Sequence, residues 1–149
     1  ALDASLAGPQ KKREPVFGYY WAPTSLMGKY EWTILEEPAY TEACWAEVIK
    51  GRDDATYVPK EACAYETLPV DKGINTSLEE RAPEIVEMLG KMNVGLQPIN
   101  VTAAWAVDND IQGEWERAAV QYLKTYEDRW TTWVPADVAQ KVKDALANA

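Results

Sequence analysis

Pro15-Val16-Phe17-Gly18-Tyr19-Tyr20-Trp21-Ala22-Pro23-Thr24 is the stretch around which this 149-residue chain is organised. Val, Phe, Tyr and Trp favour a pleated surface and prolines bracket the run, so it reads as a buried strand ending in an aromatic lip. Alternation puts Phe17, Tyr19 and Trp21 on one side and Val16, Gly18 and Tyr20 on the other. Thr24 is then an N-cap for a single helical turn that runs out near Gly28, and Glu31-Trp32-Thr33-Ile34-Leu35-Glu36 returns as a partner strand. A strand end facing a helix start is a usual ligand position in open α/β sheets. A Trp there is ordinarily packing. The sharper reading makes the Trp21 indole, with Tyr19 or Tyr20 beside it, one wall of a box for a ligand cation.

Composition bounds the alternatives. A chain of this length with 47% hydrophobic residues fits one domain, or a large piece of one, with enough apolar material for a core. Fifteen basic against 24 acidic residues leave a net charge of −9, which repels phosphate backbones and anionic lipid and disfavours nucleic acid or membrane-surface partners. No apolar run is long enough for a transmembrane helix, so direct membrane insertion is not expected. Residues 1–10 lack the basic start and apolar middle of a signal peptide, and Ala1 suggests a processed or truncated product. The chain has no His, which removes Ser-His-Asp and Cys-His catalytic sets and the Cys/His zinc patterns. Glu36 and Glu37 point to opposite faces of an extended segment and cannot flank one glycosidic bond. The chain is therefore read as a non-enzyme with no cofactor and no metal.

Tyr19-Tyr20-Trp21-Ala22-Pro23-Thr24, followed by Lys29-Tyr30 and Leu35-Glu36-Glu37-Pro38, resembles the substrate-binding proteins of ABC importers for glycine betaine, choline and related quaternary amines. Cys44-Trp45, Ala62-Cys63-Ala64-Tyr65, Arg81-Ala82-Pro83-Glu84-Ile85-Val86 and Trp130-Thr131-Thr132-Trp133-Val134-Pro135 agree in order, so the resemblance spans most of the chain from Pro15 to Leu146. It implies part of a periplasmic binding protein-like (type II) two-lobed α/β fold with a helical C-terminal half. On that footing residues 1–14 are an N-terminal lead, and residues 15–149 the C-terminal portion of the substrate-binding domain.

The resemblance also implies the function: an extracytoplasmic or periplasmic component that holds a quaternary ammonium compatible solute, such as glycine betaine, choline or proline betaine, in an aromatic cage. Its partners would be that small ligand and a membrane permease. Trp21 is the first candidate for the cage wall and Tyr19 and Tyr20 the second. Some relatives hold a betaine carboxylate with a His soon after such a tryptophan, whereas this chain offers Thr24 and Ser25, which makes choline as reasonable a ligand as glycine betaine. Cys44 and Cys63, an even count, suit a single disulfide in an oxidising compartment, with two buried thiols as the alternative. The extracytoplasmic home that the resemblance implies favours the bridge. Weak binding by this half alone, and self-association to complete the box, follow from the same reading. A carbohydrate-binding or other stand-alone interaction domain using exposed aromatics is the competing class.

The remaining segments read locally. Residues 1–14 form a loose lead or frayed helix, and 40–50 form a helix interrupted at Gly51. Cys63 to Val70 is a strand closed by an Asp71-Lys72-Gly73 turn. Ser77 and Glu80 have capping-box spacing, and a second helix starts near Pro83. From Pro98 the chain is helical: Ile99 to Asp110, Glu114 to Tyr126 with an apolar stripe at spacings of three and four, and a last helix from Pro135. Trp130 and Trp133 are expected as packing anchors.

Overall fold

The computed structural model describes residues 2–149; Ala1, and with it the reading of that residue as a processed end, lies outside the described residues. Among the described residues there are nine helices and no strand. The expected α/β fold is thereby overturned. The β-favouring run at 15–24 has no regular secondary structure, bends at Ala22-Pro23 before the next helix and joins no sheet, and neither 31–36 nor 63–70 pairs as a strand. A strand is completed only by a neighbour that exchanges N–H and C=O groups with it, and here the intended partner never aligns. The turn expected at Asp71-Lys72-Gly73 is likewise unformed.

The chain divides into two compact units. One runs from the N-terminus to Trp32 and resumes from Ile74 to Ala149. It opens with α1 (Leu2–Lys12), better formed than a loose lead because Leu6 is buried, Asp3 sits in the first turn and Lys11 and Lys12 in the last, where each complements the helix dipole. The short α2 (Ser25–Lys29) is capped by Thr24, whose hydroxyl accepts from the Met27 amide at 3.4 Å. After Ile74 come α4 (Leu78–Arg81) and α5 (Pro83–Lys91). Pro83 starts α5 as its spacing predicts, since its missing N–H costs nothing at a first helical position. Ser77 makes no capping-box bond, because its own backbone is already helical.

The bulk of this unit is α6 (Leu96–Asp108), α7 (Trp115–Thr125), α8 (Glu127–Trp130) and α9 (Ala136–Leu146). Trp130 is 2% exposed and its indole N–H donates to the Leu123 carbonyl at 2.7 Å, so the apolar ring is buried without orphaning its donor. Tyr122 is also buried, stacked 6.4 Å from Trp133, its hydroxyl donating to the Val94 carbonyl at 2.8 Å. The α7 stripe is less buried than its spacing suggests: Tyr122 is covered, but Trp115 at its start is exposed. On α9 only Ala139 is buried, while Val138, Val142 and Leu146 are half-buried and Ala145 is exposed.

The other unit covers Thr33–Gly73 and contains α3 (Glu42–Asp53), which runs through Gly51 without interruption. Thr41 caps it by accepting from the Cys44 amide at 3.2 Å. Cys44 and Cys63 form a disulfide, and the Ala64 amide donates to the Pro38 carbonyl at 2.8 Å. Tyr40, Trp45 and Tyr65 gather near this staple, with Trp45 and Tyr65 centroids 4.7 Å apart. The Glu47 carboxylate takes hydrogen bonds from Lys50, at 2.6 Å, and from the Tyr57 hydroxyl, which tie the chain after α3 back onto it.

Candidate functional site

The aromatic segment sits just before the bend that leads into α2, and its geometry is not that of a strand. Tyr20 and Trp21 stack nearly parallel, 4.6 Å between centroids and 11° between planes. Neighbouring residues of a regular strand point to opposite faces, so this stack replaces the expected alternation. Trp21 is 54% exposed, Tyr19 and Phe17 are exposed, and Tyr20 is half-buried. The indole is thus an open surface, not a core ring. Two rings in van der Waals contact leave no room for a cation between them, so each can present only its outer face.

The Tyr20 hydroxyl donates to the Asp3 carboxylate of α1. That bond, with burial second, raises the phenol above its ordinary value and keeps it protonated as a donor. One carboxylate therefore lies at the polar edge of the aromatic pair, an arrangement that favours a cation over an anion. Thr24 is occupied as the cap of α2; its backbone N–H donates to Asn100 Oδ1 at 2.7 Å, and its hydroxyl reaches the Trp21 carbonyl at 3.5 Å. Ser25, half-buried, is the first residue of α2. Of the five residues singled out from sequence, Tyr20 and Trp21 stack and the Thr24 hydroxyl reaches the Trp21 carbonyl, while Tyr19 is exposed and Ser25 opens α2.

Two residues that sequence reading missed support this segment: Asp3 and Asn100. Asp3 lay in a stretch read as a lead, and Asn100 is 76 positions from the amide it accepts, so no local spacing announces either. The apolar grooves lie elsewhere. One of about 350 Å³ runs between α6 and α7 past Trp115, Tyr122 and Trp133, and one of about 370 Å³ runs between α7 and α9 past Leu123, Val138 and Val142. None of the five candidate residues lines either groove. Among the described residues, no cluster of metal-ligating side chains is present and no helix is long and apolar enough to cross a membrane.

The candidate surface is thus an exposed aromatic pair edged by one carboxylate. Residues 1–125 match the family described as the substrate-binding domain of the ABC-type glycine betaine transport system (OpuAC), and the chain belongs to that family. No curated protein and no solved structure matches the chain. The family is one of transport substrate-binding domains, whose members work outside the cytoplasmic membrane with a small ligand and a permease, and it is not an enzyme family.

Proposed function

We propose that this chain binds a quaternary ammonium compatible solute, glycine betaine, choline or proline betaine, with Trp21 as an aromatic wall and Tyr19 and Tyr20 beside it, and delivers it to a membrane permease of an ABC importer. The single observation that supports this reading is the open Tyr20–Trp21 stack with the Asp3 carboxylate at its edge, in a chain of this family. A methylated nitrogen carries its charge over an apolar surface, so it gains from an aromatic face while losing little hydration. Each face contributes roughly 0.5–2 kcal/mol, and one cation meets only one outer face of a stacked pair, so this surface by itself corresponds to a dissociation constant on the order of tens of millimolar or weaker.

Thr24 and Ser25 stand where some relatives carry a His for the betaine carboxylate, and Thr24 is spent on capping. Choline, with a hydroxyl in place of a carboxylate, needs no such partner. The test is a tryptophan-fluorescence titration of the protein and of Trp21→Ala with choline, glycine betaine and a neutral oligosaccharide. Saturable choline or betaine shifts lost in Trp21→Ala support the reading. A response to the oligosaccharide alone, or a quaternary amine response indifferent to Trp21→Ala, overturns it.

A further inference from the structure

We propose that Asn100 is a positioning residue for Trp21, holding the backbone from which the indole projects. The inference rests on the reading of Trp21 as a ligand wall. Trp21 is more than half exposed, so its ring is steadied on one face by the Tyr20 stack and otherwise by the main chain from 20 to 24. That main chain is tied on the far side of the tryptophan to α6, where Asn100 Oδ1 accepts the Thr24 N–H at 2.7 Å.

Asn100 is only 2% exposed, and its Nδ2 donates to Gln97 Oε1 at 3.4 Å. An amide buried in a helix contact is costly unless its hydrogen bonds are made, and an apolar residue would fill the same space without that cost. The contact around it is tight: a Cβ on Gly28 would lie 2.1 Å from the Asn100 carbonyl oxygen, so α2 rests directly on the α6 backbone. Trp32 adds a clamp from the other end, its indole N–H donating to the Leu26 carbonyl at 3.1 Å. Helix α2 is thereby seated by backbone approach, and the Asn100 oxygen is the group that carries this fixed position back to residue 24. Trp21 is three residues away, and its carbonyl is reached by the Thr24 hydroxyl at 3.5 Å.

The experiment uses protein labelled with 5-fluorotryptophan, with the Trp21 resonance assigned through Trp21→Phe and the buried Trp130 as internal reference. Asn100→Leu keeps the branching at Cγ with some added bulk and removes the acceptor, and Asn100→Asp keeps the acceptor while giving up the donor to Gln97. With circular dichroism and the Trp130 resonance unchanged, Asn100→Leu is expected to move and narrow the Trp21 resonance and to weaken choline binding by about fivefold, the effect of one lost hydrogen bond. Asn100→Asp is expected to restore both. Should Asn100→Leu fail to fold, Asn100→Ala takes its place with the same expected shift. A Trp21 resonance that stays put in the folded acceptor-free variant overturns the inference. Absence of any choline response in the wild-type protein overturns the binding reading instead, and the fluorine spectrum distinguishes the two.

Discussion

Glu47 shows how much one half-buried carboxylate can organise. Lys50 donates to it first and the Tyr57 hydroxyl second, and together they hold its carboxyl down to about 2 from an ordinary 4.5. The same bond raises the Tyr57 phenol. Because the folded value lies below the unfolded one, the carboxylate contributes stability in full above pH 4.5, and this is lost as the pH falls towards about 2. Glu47→Gln should therefore be less stable than wild type by a constant margin above pH 4.5, with the margin shrinking below it and gone near pH 2. Urea unfolding followed through the NMR signals of α3 at a series of pH values checks this. A margin that persists unchanged at the acid end would mean that the ionised form is not what matters.

At the scale of elements, the unit from Thr33 to Gly73 has one helix and no sheet among the described residues, and Cys44 and Cys63 are its only buried apolar side chains. The disulfide spans 19 positions, and restricting an unfolded loop of that length stabilises by about 3 kcal/mol in the chain-entropy account. Reduction should thus strip the amides of α3 of their hydrogen-exchange protection at neutral pH, and the Cys44→Ser/Cys63→Ser variant should match the reduced protein. Protection of α3 that survives both would place its stability in the Tyr40, Trp45 and Tyr65 cluster. Helices were legible in the sequence wherever a local signal starts them: the Thr24 cap, Pro83 at a first helical position, Pro135 before α9. Strands were not, because 15–24 has the composition of a strand but needs a partner that no local pattern supplies. Gly51 failed as a breaker because α3 gains enough from its cap and from the Glu47 bonds to carry one glycine.

On the scale of the whole molecule, the candidate site was half legible. Its aromatic members are adjacent in sequence and could be named from composition, whereas Asp3 and Asn100 reach it only through folding. What the sequence states outright is charge: 149 residues carry a net −9, which sets up a negative field over any ligand's approach. That field acts on net charge. Choline is a cation, while glycine betaine is a zwitterion that the long-range field neither draws in nor repels. Under the proposed function, raising salt from about 10 to about 150 mM shortens the screening length from about 30 to about 8 Å and should weaken choline binding several-fold. Glycine betaine affinity should change by less than about twofold over the same range, since only local contacts with the Tyr20–Trp21 faces and the Asp3 edge hold it. Calorimetric titrations of both ligands at the two salt concentrations give the comparison directly. Parallel salt slopes would mean that the charge of the chain plays no part in selecting its ligand, and that selection lies in the aromatic contact alone.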